Sequence, residues 1–127
     1  AASNDELLKK DNITCIVEIY DAYRNQKKID GIEYCSISFE DRNFVDIKPY
    51  IEITNKFIDE KISQNKSILI HCSAGVSRSA AITIAYLIYK GLTFQEAFNK
   101  VRSKRSVIDI NYGFRNQLIE FEKQCSK

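Results

Sequence analysis

The chain has 127 residues, 28% of them charged, with a formal net charge of +2. That length suits one domain with an ordinary core, and so small a net charge argues against a general polyanion-binding surface while leaving room for a local basic site. Cys15, Cys35, Cys72 and Cys125 lie far apart with no Cys-x-x-Cys pair, which speaks against a zinc ribbon or a small disulfide scaffold and fits a reducing compartment. No basic-then-apolar leader opens the sequence, and the apolar runs are too short and interrupted to cross a bilayer, so a soluble protein is expected.

Ser3-Asn4-Asp5-Glu6 has capping-box spacing ahead of Leu7 and Leu8 and predicts a short helix to about Lys10. Ile13-Thr14-Cys15-Ile16-Val17-Glu18-Ile19 is β-branched and mostly apolar, as a strand covered on both faces is. The charged stretch from Asp21 to Lys28 reads as loop. After the turn signal Asp30-Gly31, Tyr34-Cys35-Ser36-Ile37-Ser38-Phe39 alternates polar and apolar residues and predicts a second strand. Asp46 is placed to cap a helix whose first turn holds Pro49 and whose apolar face carries Ile47, Tyr50, Ile51, Thr54, Phe57, Ile58 and Ile62. Ser67 to Ile70 reads as a short apolar strand, and Ser79 to Lys90 as a mostly buried helix that Gly91 ends. Thr93-Phe94-Gln95-Glu96 is a second capping box, opening a helix through Ala97, Phe98 and Val101; a last helix carries Phe114, Leu118, Ile119 and Phe121. Strands interleaved with helices predict an α/β fold with a largely parallel sheet, and no repeat or linker divides the chain, so it reads as a single domain.

The stretch from His71 to Ala80, His-Cys-Ser-Ala-Gly-Val-Ser-Arg-Ser-Ala, joins the last predicted strand to a buried helix. In open α/β sheets ligands bind at this edge, where strands end and helices begin. Backbone N–H groups of a tight loop converge on an anion there, the helix amino terminus adds positive potential, and Gly75 permits the bend. Such a loop suits a phosphate-sized dianion. A cysteine facing these donors is readily ionised, which makes Cys72 a candidate nucleophile. Arg78, six residues on, is spaced to grip two oxygens with its planar fork.

His71-Cys72-Ser73-Ala74-Gly75-Val76-Ser77-Arg78-Ser79 resembles the signature loop of the cysteine-dependent protein phosphatases, and in detail that of the dual-specificity branch. The classical tyrosine-specific members usually carry Gly-Arg-Thr-Gly where this chain has Ser77-Arg78-Ser79-Ala80, and the chain has no tryptophan for their Trp-Pro-Asp loop. The resemblance extends through Phe39-Glu40-Asp41, Val45-Asp46-Ile47, Ala85-Tyr86-Leu87, Glu96-Ala97-Phe98, Asn111-Tyr112-Gly113-Phe114 and Gln117-Leu118, covering Ile13 to Glu122. It implies a protein tyrosine phosphatase-like fold, a central sheet of about four to five strands flanked by helices. Family domains commonly begin with a further strand and turn containing Leu-Tyr-Leu-Gly, and no such segment precedes Ser3 here.

Role by role, the resemblance implies Cys72 as nucleophile and Arg78 as the phosphoryl-binding cation, with the backbone amides of Ser73, Ala74, Gly75, Val76, Ser77 and Arg78 as the phosphate cradle. Ser79 donates its hydroxyl to the cysteine sulfur, and His71 orders the loop. A proton donor for the departing oxygen is also needed. Asp41 matches the family's acid and follows a strand whose carboxyl end lies near the loop if the strands are parallel; Glu40 and Asp46 are the alternatives. Thiolate and protonated carboxyl together imply a bell-shaped pH profile with its optimum on the acidic side of neutral. Arg102, Lys104 and Arg105 form a basic cluster, and Arg105 stands where some relatives contact a second phosphate. Asn111 matches a family asparagine, although the proline usual before it is Ile110 here.

The resulting expectation is a protein phosphatase of cytoplasm or nucleus acting on phosphotyrosine and phosphoserine or phosphothreonine. Its partners are phosphorylated proteins rather than nucleic acid or membrane; it is a monomer and uses no metal or other cofactor. The competing readings are an inactive phosphate-binding module, and a phosphoinositide or RNA-end phosphatase. The lipid-directed branch tends to carry lysines within the loop, where Ser73, Ala74, Val76 and Ser77 are uncharged.

Overall fold

The structure, a computed structural model, describes residues 13–20, 30–72, 77–104 and 108–125. The expected helix from Ser3 to Lys10 and loop from Asp21 to Lys28 lie outside them. Three runs form strands: β1 (Ile13–Tyr20), β2 (Glu33–Ser38) and β3 (Ser67–Cys72). β1 lies in the middle and pairs in parallel with both neighbours, in the order β2-β1-β3. Its Cys15, Ile16, Val17 and Ile19 are buried, as a mostly apolar run in a central parallel strand should be. The described sheet therefore has three strands where four to five were expected. The other β-branched stretch, Ile82-Thr83-Ile84, lies in a helix among Ala80, Ala81, Ala85 and Leu87, whose helix preference prevails.

The helices are α1 (Lys48–Ser63), α2 (Ser77–Tyr89), α3 (Phe94–Lys104) and α4 (Tyr112–Cys125). Asp46 stands one residue ahead of the N-cap Ile47 of α1, and its Oδ1 accepts from Lys48 N at 3.1 Å. Pro49 falls in the first turn, where its missing N–H has no intrahelical partner to lose. The apolar face of α1 buries Ile51, Thr54 and Ile58 but stops a turn short of expectation, since Ile62 is 47% exposed. Lys61 is turned inward instead, lying 5.5 Å from the Phe57 ring and 2.8 Å from Glu33.

α2 buries most of its length, and its small Ala80, Ala81 and Ala85 allow α1, α3 and α4 to approach it closely. It ends in a Schellman turn, with Gly91 at φ +114° and bonds from Gly91 N to Ile88 O and from Leu92 N to Leu87 O. The capping box of α3 forms as read: Thr93 N donates to Glu96 Oε1 at 2.9 Å, and Glu96 N to Thr93 Oγ1 at 3.1 Å. These bonds hold the Glu96 carboxyl below its ordinary range. In α4, Phe114 and Leu118 are fully buried, each worth about 2 kcal/mol of apolar burial. Ile119, one residue further round the helix, is 38% exposed and lies outside the stripe it was assigned to.

The core lies on one face of the sheet, where Val17, Ile19, Cys35 and Ile37 meet Ile51, Ile84, Phe114 and Leu118, with Ile70 and Cys72 packed against them. Successive side chains of a strand point to opposite faces. Because β2 and β3 both run parallel to β1, the residues following Phe39 and those opening α2 emerge at the same edge of the sheet.

At the opposite edge, Glu33 Oε2 accepts from Lys61 at 2.8 Å and from Lys66 at 3.2 Å, and these two ammonium groups lower its pKa from 4.5 to about 2. Its contribution to stability is therefore complete above pH 4.5 and lost as the pH falls toward about 2. Glu33→Gln is expected to melt at a slightly lower temperature than the parent at neutral pH, the exposed pair being screened, and to converge with it as the solution is acidified through that window.

Candidate active site

Cys72 ends β3 with its side chain on the core face. His71, one residue earlier, is by alternation on the other face, in register with Glu18 of β1. Ser73, Ala74, Gly75 and Val76 lie outside the described residues. α2 then opens at Ser77, and its first turn folds back on the strand end: Cys72 Sγ and Ser79 Oγ are 3.6 Å apart. Arg78 is only 2% exposed, and its Nη1 donates to the Phe39 carbonyl at 3.2 Å, just beyond the end of β2.

The loop after β2 supplies the carboxylate. Phe39 is buried between Tyr50, stacked at 4.8 Å, and Phe114, edge-on at 5.7 Å, which anchors the point where the loop leaves the sheet. Arg42 N donates to Glu40 O at 2.9 Å and Val45 N to Arg42 O at 3.1 Å, so the chain turns tightly around Asp41. Asp41 Oδ1 accepts two hydrogen bonds, from Ser77 Oγ at 3.1 Å and from Asn111 Nδ2 at 2.7 Å. The alternatives are otherwise engaged, Glu40 in an ion pair with Arg42 at 2.6 Å and Asp46 with the first turn of α1. A thiol, two hydroxyls, a buried guanidinium and a carboxylate thus converge at the amino end of α2, a set suited to binding and cleaving an anionic ester.

Of the residues singled out in the sequence, Cys72, Arg78, Ser79, Ser77 and Asp41 are brought together here, while His71 faces away from the thiol. Arg105 lies outside the described residues. The Ser77 side chain was not anticipated; only its amide was, and its bond to Asp41 spans 36 positions that no local pattern encodes. Glu18 was hidden within an apolar run, yet it is 4% exposed and accepts from Ser36 Oγ at 2.8 Å. Asn111 keeps its turn without the proline, because Asn111 Oδ1 accepts from Phe114 N at 2.8 Å and caps α4 while Ile110 is buried. All four cysteines are free, and burial pushes the Cys35 thiol up. Among the described residues no cluster of His, Cys, Asp or Glu is arranged to hold a metal ion, and no helix is long and apolar enough to cross a membrane.

Comparison with known proteins identifies the family of the chain. The family profile described as "Dual specificity phosphatase, catalytic domain" matches residues 1–124. The MAP kinase phosphatase with leucine-rich repeats protein 1 of Dictyostelium discoideum is 43% identical over 99% of this chain, which spans 15% of that protein. Dual specificity protein phosphatase 1B of Arabidopsis thaliana is 37% identical over 96% of this chain and 73% of its own length. The crystal structure of human DUSP28 superposes with a TM-score of 0.89 at 28% identity, over 99% of this chain and 88% of that one. The chain belongs to the dual-specificity phosphatase catalytic-domain family.

Asn111→Ala removes both the cap of α4 and one of the two donors to Asp41. A loss of about 1 kcal/mol is expected in urea unfolding, the usual cost of an N-cap.

Proposed function

We propose that the chain is a protein phosphatase that hydrolyses phosphotyrosine and phosphoserine or phosphothreonine through a cysteinyl-phosphate intermediate. The Cys72 thiolate attacks phosphorus and forms the S–P bond as the ester P–O bond breaks. The departing oxygen takes the bond pair, and Asp41 gives it a proton. Arg78 and the backbone N–H groups from Ser73 to Arg78 hold the equatorial oxygens, where charge gathers in the transition state. A guanidinium carries five N–H donors in a planar fork, and the bond to Phe39 O fixes the orientation of that fork. In the second step Asp41, now ionised, takes a proton from water as the water oxygen attacks phosphorus. The S–P bond breaks, the pair returns to sulfur, and the Ser79 hydroxyl stabilises the thiolate by donating to it. His71 orders the loop from the far side of β3. The products are the dephosphorylated protein and inorganic phosphate.

The observation that carries this reading is the Ser77 Oγ to Asp41 Oδ1 bond of 3.1 Å, which ties a loop carboxylate to the helix that follows the nucleophile. Among the described residues Asp41 Oδ2 takes no hydrogen bond, so that oxygen is open to carry the proton. The Dictyostelium relative is named for action on a MAP kinase, and a phosphorylated kinase is a substrate of the class proposed here. We place the activity in cytoplasm or nucleus, where Cys72 stays reduced, and in a monomer.

Phosphate release from an aryl phosphate, followed from pH 5 to 8 with chelator present, tests the mechanism. The parent should give a bell-shaped profile. Cys72→Ser should abolish turnover, and Asp41→Asn should lower kcat by about 100-fold and remove the high-pH limb. A parent that binds phosphopeptide without turnover would instead make this a binding module.

A further inference from the structure

The loop bearing Asp41 runs from Glu40 to Ile47 with no regular structure of its own, yet a proton donor must be held within a fraction of an ångström to be effective. α4 touches this loop at three places along one side. Asn111 Nδ2 donates to Asp41 Oδ1 at 2.7 Å. Two residues on, Gly113 lies so close to Asn43 that a Cβ built on it would fall on the Asn43 carbonyl oxygen and within 2.6 Å of the carbonyl carbon and Cα. One turn further, the Gln117 amide clasps the far end of the loop, with Nε2 donating to Val45 O at 2.7 Å and Oε1 accepting from Ile47 N at 2.8 Å.

Two of the three contacts, those of Gly113 and Gln117, use a residue whose chemistry the helix itself does not require. Glycine is a poor helix former, so Gly113 in the first turn adds nothing to α4 and is accounted for by the room it leaves for Asn43. Gln117 satisfies one carbonyl and one N–H that no secondary structure pairs, using both ends of a single amide. Asn111 divides its amide between the α4 cap and Asp41. The contacts fall at the front, middle and rear of the loop, so none of them alone sets the position of Asp41.

We propose that α4 is a splint for the acid-bearing loop, with Gly113 and Gln117 as positioning residues that act on the reaction only through Asp41. The inference rests on Asp41 being the acid, and the experiment separates the two. Initial rates would be measured for the whole chain on phenyl phosphate, whose leaving group needs a proton, and on nitrophenyl phosphate, whose leaving group needs it far less. Asp41→Asn should lose much more on the first than on the second; an equal loss on both would show that the acid assignment itself is wrong. Given that result, Gln117→Ala should lower kcat/KM, which reports the step that expels the leaving group, by about ten-fold on phenyl phosphate, with a several-fold smaller loss on nitrophenyl phosphate. In the Asp41→Asn background it should cost nothing more on either ester.

Gly113→Ala forces a Cβ onto the Asn43 backbone, so it should lower the thermal midpoint and show the same leaving-group dependence. Gln117→Glu, which keeps the Oε1 acceptor for Ile47 N and loses the donor to Val45 O, guards against a simple failure to fold and should show a smaller loss of the same kind. Equal losses on both esters, no loss at all, or a full further loss in the Asp41→Asn background would overturn the splint and leave α4 an ordinary packing helix.

Discussion

Arg78 is a cation kept almost wholly from water at the amino end of α2, and its Nη1 bond to the Phe39 carbonyl joins the end of β2 to the helix that follows β3. Removing a guanidinium from water costs several kcal/mol unless fixed acceptors replace the solvent. The fold provides one such acceptor at the point where the Asp41 loop departs. Phe39 is itself immobilised between Tyr50 of α1 and Phe114 of α4, so a single buried residue links the sheet, the loop and three helices. On the proposed function, the substrate's phosphoryl group brings negative charge to a cation already stripped of most of its hydration. That strengthens their interaction over what water would allow.

The parallel sheet makes this convergence possible. Had β2 run antiparallel to β1, its end would lie at the edge where Glu33 meets Lys61 and Lys66, remote from Cys72. Strand alternation then separates two adjacent residues by role: Cys72 packs on the helical side and His71 stands on the other, beside Glu18. This geometry suits a histidine that supports the backbone rather than one that transfers protons.

Much of the fold was legible because local chemistry decides it. The β-branched runs of β1 and β3, the alternation in β2, the capping box at Thr93 and the glycine ending α2 are each complete within a few residues. The six-residue spacing of Cys72 and Arg78 across a strand-to-helix loop is likewise local, whereas the role of Ser79 came from the resemblance alone. What escaped depends on partners distant in sequence. The inward turn of Lys61, which displaced Ile62, follows from Glu33 at the start of another strand. Glu18 could enter an apolar strand because Ser36 offers a hydroxyl from the neighbouring one. Gln117 was noticed as part of a resemblance, without any clue in its own segment that it would reach back to Val45 and Ile47.

Those long reaches also bear on how the protein folds. The bonds from Asn111 and Gln117 to the loop close separations of 70 to 72 residues, whereas the turns, caps and helices need only a few. Loop-closure entropy favours the local elements first and leaves such distant pairings to the end. During synthesis the loop leaves the ribosome well before the helix that braces it, so β3 and Cys72 are made while Asp41 is still unbraced. On the proposed function, full chemical competence is then the last property the domain acquires, since the Asp41 loop is braced only once α4 has docked.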